Sequence, residues 1–330
     1  MKKICLITTE IGRDKGGIQN WMYYVKKLLE YNNYDIDVYS YKDSKIFNLV
    51  KVYNGDVIIL ATFKMAVFVL HLIVLTKKKV FIFVHGNEIL KLNIFLKGIL
   101  IFLTKRENTY FIANSQSISK LFFDITNRKV DFVQYPFIEI KNNHCKKTKE
   151  NNFFTLTRLV KRKNIKNVIK AFSILKENNF NFKYVVAGIG PEFEILTKTV
   201  NELGLSNEIK FVGKVTEEEK HRYFSESNYF LLPSIFDEKE GSIEGYGIVF
   251  IEANAYGIPV LSGNTGGMVE AVEDGKTGFH SNGEVNDIVL KIKRLTEINF
   301  NIDYIKHHAQ KHNYLKQEKF LNFIKNKLNE

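Results

Sequence analysis

Glu244 and Glu252 bracket the run Gly245-Tyr246-Gly247-Ile248-Val249-Phe250-Ile251, a glycine-rich loop that passes directly into an apolar helical pattern. Glycine lets a backbone approach a ligand closely, and a helix start presents unpaired N–H groups at the positive end of a dipole. Gly245, Tyr246, Gly247 and Ile248 therefore form a candidate seat for a diphosphate. Glu252 lies among Phe250, Ile251 and Ala253, where a lone carboxylate is costly, so a hydroxyl-rich group such as a ribose supplies the donors it needs. Glu244 is then placed to hold the hydroxyls of a sugar attached to that diphosphate.

Downstream of this run the chain has the order that an α/β phosphate-binding edge requires. Asn254-Ala255-Tyr256-Gly257 reads as a helix end with a glycine stop, Ile258-Pro259-Val260-Leu261-Ser262 as a buried strand, and Gly266-Gly267 as the opening of another helix. Upstream, Arg158 and Lys163 stand between a predicted strand at residues 153–156 and a predicted helix at 167–177. Ligands of open α/β sheets bind beyond such strand ends, and two fixed cations there stabilise the charge that builds on a departing diphosphate. Lys161 and Arg162, between them, read as surface residues. Gly188 and Gly190 form a short Gly-x-Gly turn after a strand, and His85 ends the apolar run Val80-Phe81-Ile82-Phe83-Val84 just before Gly86.

Those residues need two sheets to hold them. Apolar runs at residues 4–8, 36–39, 57–60, 80–84 and 110–113 are spaced widely enough for intervening helices, which predicts a parallel, doubly wound sheet. The pattern repeats beyond a polar stretch at residues 142–152, with strands at 153–156, 184–187, 209–212, 229–232 and 260–262. The expected division is a first domain over residues 1–145, a second over 146–302, and a basic helical segment over 303–330 returning to the first.

The 330 residues carry a net charge of +12, and the distribution is uneven: residues 1–150 hold 24 Lys and Arg against 13 Asp and Glu, residues 151–330 hold 24 against 23. The excess points the first half toward an anionic partner, and its apolar content favours a lipid surface over nucleic acid. Residues 65–75 and 94–103 are apolar runs followed by bases, each shorter than the ~20 residues that cross a bilayer. Both core helices and interfacial docking fit them. Two cysteines far apart in sequence and the absence of a leader pattern at Met1-Lys2-Lys3 fit a reducing cytoplasm. Asp35-Ile36-Asp37 lacks a third ligand for a metal, and neither a Gly-x-Ser-x-Gly elbow nor a Walker loop is present.

The span from Glu244 to Gly278 resembles the donor-sugar signature of family 4 glycosyltransferases, and Arg158-Leu159 with Lys163 is similar to the element that grips donor phosphate there. The resemblance implies the retaining, two-domain GT-B fold, with two Rossmann-like domains facing across a cleft. It also implies that Gly188 lies by the nucleotide, that Val212 ends a strand contacting the base, that His85 stands near the reacting sugar, and that the Gly16-Gly17 loop approaches donor phosphate or acceptor. Catalysis would then rest on Glu244, His85, Arg158 and Lys163, with no cofactor and no metal. The implied activity is transfer of a sugar from a UDP- or GDP-sugar to a glycan or polyprenyl-diphosphate-linked acceptor. Its setting would be surface-polysaccharide assembly at the inner face of the cytoplasmic membrane. A sugar-nucleotide epimerase, a phosphorylase and a non-catalytic sugar-nucleotide-binding scaffold are the alternatives. One departure is Pro136-Phe137-Ile138-Glu139-Ile140, where relatives read Pro-Asn-Gly-Val-Asp.

Overall fold

The computed structural model describes residues 2–12, 15–40, 54–141, 150–237 and 241–329, which form two compact units, Met1–Glu139 with His312–Glu330 and Ile140–Lys311. The linker expected at residues 142–152 falls largely outside the described residues.

In the first unit, β1 (Lys3–Thr8), β2 (Asp35–Ser40), β3 (Val57–Leu60), β4 (Lys79–Val84), β5 (Thr109–Ala113) and β6 (Phe132–Val133) form one parallel sheet in the order β2-β1-β3-β4-β5-β6. Buried Ile58 to Leu60, Val80 to Val84 and Tyr110 to Ala113 are continuous apolar runs, as a parallel sheet covered on both faces demands. The chain steps from β1 back to β2, then forward from β3 through β6. Right-handed crossovers place the helix Gly17–Tyr31 on one face and the helices between β3 and β6 on the other.

The helix Glu318–Asn329 covers the same face as Gly17–Tyr31. Trp21 meets Phe83 edge-on at 5.0 Å and Phe137 at 6.2 Å, Phe320 approaches both of those rings, and Phe323 stacks on Phe132 at 4.7 Å. Phe137 is fully buried, and Ile138 exchanges backbone hydrogen bonds with His312 and Tyr314. The departure at residues 136–140 thus fills the core with an aromatic ring and ties down the returning chain.

In the second unit, β7 (Asn152–Leu156), β8 (Lys183–Ala187), β9 (Ile209–Gly213), β10 (Tyr229–Leu232), β11 (Val260–Gly263) and β12 (Gly278–Ser281) run parallel in the order β12-β11-β10-β7-β8-β9. This is the doubly wound arrangement whose direction reverses between β7 and β10. Stacked Phe172 and Phe182, 4.2 Å apart, and a cluster of Phe154, Phe224 and Phe230 fill its two faces. β6 and β12 lie beyond the expected strands, being two and four residues long.

The segment expected as one helix over residues 303–330 is two. Ile302–Gln310 belongs to the second unit, where Tyr304 donates to Glu273 at 2.5 Å and His308 sets its Nδ1 3.0 Å from the same carboxylate. The short 3-10 turn Tyr314–Lys316 separates it from Glu318–Asn329, which alone returns to the first unit. No described helix is long and apolar enough to cross a membrane.

Trp21 is the only tryptophan, so its fluorescence reports the first unit alone. Phe320→Ala is expected to lower that unit's stability by about 3–5 kcal/mol in urea titrations followed at Trp21, as truncation of a buried aromatic does. A shift in midpoint too small to resolve would show that the returning helix contributes nothing to this core.

Candidate functional site

The reversal between β7 and β10 leaves the loops after these strands diverging to opposite faces, which opens a crevice at their carboxyl ends. The loop after β7 is Thr157–Asn164 and ends in the 3-10 turn Lys161–Lys163; the loop after β10 leads through Ser234 to Glu244. Ile235 donates its N–H to the Arg162 carbonyl at 2.8 Å, so the two loops are joined where the sheet divides.

Three side chains meet there. Glu244 Oε2 accepts from Arg162 Nη1 at 2.8 Å and also from Lys163 Nζ, and Lys163 is 7% exposed. Burial pushes the Glu244 carboxyl upward, but Lys163 and Arg162 outweigh it and hold the pKa at about 2. Burial lowers the Lys163 pKa, Glu244 opposes that shift, and Arg162 adds to it. Glu244 is therefore an anion at any physiological pH, and Lys163 keeps two further N–H donors for another ligand. The buried hydroxyls of Ser234 and Thr265 have no hydrogen-bond partner among the described residues and lie on the loops after β10 and β11.

Arg162 corrects the expectation from sequence: read as a surface residue, it is one of the two cations on Glu244. Lys161 is exposed, as is Arg158, which heads the same loop. Glu252 does not share those cations. It sits in the helix Ile248–Ala255 and pairs at 3.1 Å with Lys220, which also binds Glu217 at 2.8 Å. The charge for which the sequence offered only a ligand's hydroxyls thus has a protein partner. Lys220, largely buried, is raised above its ordinary pKa by these two carboxylates together, although burial, the largest single effect, opposes them.

The glycines act first on the protein itself. A Cβ on Gly188 would stand 1.7 Å from the Thr157 carbonyl oxygen, and one on Gly190 2.2 Å from that of Leu159, so the Gly-x-Gly turn lets β8 pass against the loop carrying the cations. Likewise a Cβ on Gly267 would strike the Gly245 carbonyl at 2.0 Å, and the Gly267 N–H donates to the Glu244 carbonyl at 3.2 Å. Gly247, at φ +89°, turns the chain into the helix with buried Tyr246 before it and half-buried Ile248 after it. Val212 is skipped where the β8–β9 register shifts from Val186↔Phe211 to Ala187↔Gly213, which takes its backbone out of the ladder.

The first unit holds the remaining expected residues. Gly16, at φ +137°, and Gly17 are exposed at the start of the helix Gly17–Tyr31, after β1. His85 is buried at the end of β4, its Nε2 2.7 Å from the Ala61 carbonyl and its backbone N–H donating to Glu88 at 2.6 Å. Burial lowers its pKa against the opposing pull of Glu88 and Ala61, so the ring is neutral, with Nε2 carrying the proton toward Ala61. Asn114 lies at the next strand end, followed by Ser115, which caps the helix Gln116–Thr126.

These two doubly wound sheets define the GT-B fold. Over 98% of its length the chain superposes on all of Anabaena HepE, solved in complex with UDP-glucose, with a TM-score of 0.77 at 19% identity. Sucrose-phosphate synthase from Thermosynechococcus elongatus gives 0.78 at 14% identity, covering 98% of this chain and 99% of that one. The chain belongs to the glycosyl transferases group 1 family, whose pattern matches residues 136–314. Among curated relatives, a GDP-mannose-dependent alpha-(1-6)-phosphatidylinositol monomannoside mannosyltransferase of Mycobacterium tuberculosis is 34% identical over 134 residues, 41% of this chain. The amylovoran biosynthesis glycosyltransferase AmsK of Erwinia amylovora is 31% identical over 144 residues, 43% of this chain. The matched segment spans 35% of each of those two relatives.

A carboxyl held below its unfolded value stabilises the fold above that unfolded value, and the contribution disappears as pH falls from about 4.5 toward 2. Glu244→Gln should therefore be less stable than the native chain at pH 7, with the gap closing across that window, as urea titrations by circular dichroism would measure. A gap that is constant with pH would mean that the carboxylate's charge plays no part in holding the crevice.

Proposed function

We propose that the chain is a retaining hexosyltransferase of family 4 that moves a sugar from a nucleoside diphosphate to a glycan or lipid-linked acceptor. The observation that carries this reading is the anchoring of Glu244 by Lys163 and Arg162 at the carboxyl ends of β7 and β10, inside the segment that the family pattern matches. Lys163 and exposed Arg158 meet the donor diphosphate, Glu244 the sugar hydroxyls and Glu252 the ribose. Gly188 and Val212 flank the base, while Gly245, Tyr246, Gly247 and Ile248 line the phosphates. Gly16, Gly17 and His85 serve the reacting sugar and its acceptor from the first unit.

In the reaction, the bond from the sugar's anomeric carbon to the β-phosphate oxygen breaks, and the acceptor hydroxyl attacks from the same face. The proton passes from that hydroxyl to the departing diphosphate, whose charge the cations stabilise without a metal. Preorganisation explains why Lys163 is useful: its position is held by Glu244 before the leaving group gains its charge. Support for a nucleotide-sugar donor comes from the UDP-glucose complex of HepE and from the GDP-mannose dependence of the mycobacterial relative. Support for polysaccharide assembly comes from AmsK and from a Klebsiella pneumoniae protein of a cps region, 24% identical over 88% of this chain. Peripheral association of the basic first half with the inner face of the cytoplasmic membrane belongs to the same reading.

A thermal-shift screen against UDP-glucose, UDP-galactose, UDP-N-acetylglucosamine and GDP-mannose is expected to show stabilisation by one base class, and its loss in Lys163→Ala. With the donor so identified and radiolabelled, membrane lipid extract or polysaccharide should take up label. Glu244→Ala should reduce that uptake by about 100-fold or more while leaving the circular dichroism spectrum intact. Label released only as free sugar or as an epimerised nucleotide would replace transfer by one of the other GT-B reactions. Stabilisation by none of the four would remove the donor assignment.

A further inference from the structure

The helix Ile94–Thr104 is apolar on almost every side, yet only one side is buried. Ile99, Leu100 and Leu103 pack into the first unit, whereas Ile94 is 93% exposed, Phe95 68% and Phe102 44%. At helical spacing these three fall on one stripe with exposed Gly98, whose ideal Cβ meets nothing within 4 Å. A helix that is apolar all round normally has a core or a membrane around it.

A second apolar edge lies beside it. The helix Leu70–Leu75 ends on the exposed Val74 and Leu75, the latter 79% exposed. Right-handed crossovers from β3 to β4 and from β4 to β5 put both helices on one sheet face, and Arg106 Nη2, just past the second helix, donates to the Thr76 carbonyl at 3.2 Å. The face opposite, under Gly17–Tyr31 and Glu318–Asn329, is closed by aromatic packing. The charge around the exposed stripe is mostly basic. Residues 61–107 contain eight Lys and Arg and two acids, of which Glu88 is buried and Glu107 exposed. Lys64, Lys77, Lys91, Lys97 and Lys105 are all exposed.

Apolar tips rimmed by ammonium groups match the depth profile of an anionic bilayer, whose phosphates take the lysines while acyl chains take the rings. We propose that the helix Ile94–Thr104, with Val74 and Leu75 beside it, is the element by which this protein docks on anionic phospholipid, lying in the plane of the interface. The proposal rests on the membrane association included in the function above and assigns it to particular side chains. The stripe runs from Ile94, nine residues after His85 at the carboxyl edge of the first sheet, to Phe102, on the amino edge that also carries Val74 and Leu75.

The test is co-sedimentation of the full chain with vesicles of phosphatidylglycerol and phosphatidylcholine, against vesicles of phosphatidylcholine alone. Binding is expected only to the anionic vesicles and should weaken as salt rises. The triple substitution Ile94→Asn, Phe95→Asn and Phe102→Asn, and separately Lys91→Gln, Lys97→Gln and Lys105→Gln, should each lower the partition coefficient by about tenfold or more. Lys319→Gln with Lys325→Gln, exposed on the other face, should change it little. Equal binding by native and triple-substituted protein, equal binding to neutral vesicles, or a native dimer that the triple substitution converts to monomer would each overturn the proposal, the last by giving the stripe to a second copy. Thermal shifts of the same variants with UDP- and GDP-sugars keep the two readings apart. A native chain that is stabilised by a donor but docks on no vesicle sinks only the membrane element, and a native chain that docks but is stabilised by no donor sinks only the transferase.

Discussion

A parallel sheet whose strand order reverses must leave its loops parted at the reversal, and in the second unit that parting falls between β7 and β10. The opening would be a weakness without something to span it. Glu244 spans it, drawing on two cations from the loop after β7 while standing on the loop after β10. Burying any of the three alone is expensive, and together they offset one another through short charge-assisted hydrogen bonds. The backbone contact from Ile235 to Arg162 and the approach of Gly267 to Gly245 fix the same two loops, so the cluster is held from several directions.

The second carboxylate is organised by the same rule with different parts. Lys220, brought by the helix Glu217–Glu226, stands between Glu217 and Glu252 and is thereby neutralised twice over. Both glutamates are therefore held in place by lysines of the protein itself. In the first unit the two polar side chains at the end of β4 are satisfied by backbone: His85 faces Ala61, and Glu88 receives the N–H of His85.

Much of this architecture is legible in the chain. Runs such as Val80-Phe81-Ile82-Phe83-Val84 identify central strands because a sheet covered on both faces leaves no position for a polar side chain. The positions of Glu244 and Lys163 identify two of the three residues that meet at the crevice. Arg162 is not legible, since its partner lies 82 residues away and a Lys-Arg-Lys run looks solvated from its neighbours alone. Lys220 is hidden for the same reason, inside a helix whose sequence is dominated by exposed charge. Gly188 and Gly190 suggest a ligand when read locally, yet their missing side chains are required first by Thr157 and Leu159, a contact between the loops after β7 and β8 that no local pattern encodes. β12 is hard to see because Gly278-Phe279-His280-Ser281 is short and half polar, and the break between Gln310 and Glu318 because helical periodicity is similar on either side of it.

The two units also differ in how the chain completes them. Residues 140–311 are contiguous, so everything the second unit needs has left the ribosome once Lys311 has been added and cleared the exit tunnel. The first unit begins earlier and finishes later, because Phe83, Phe132 and Phe137 wait for Phe320 and Phe323 to cover them. During synthesis a half-clad sheet must therefore persist while its younger neighbour matures. Of the two units, the one begun earlier is in this way the later to be completed.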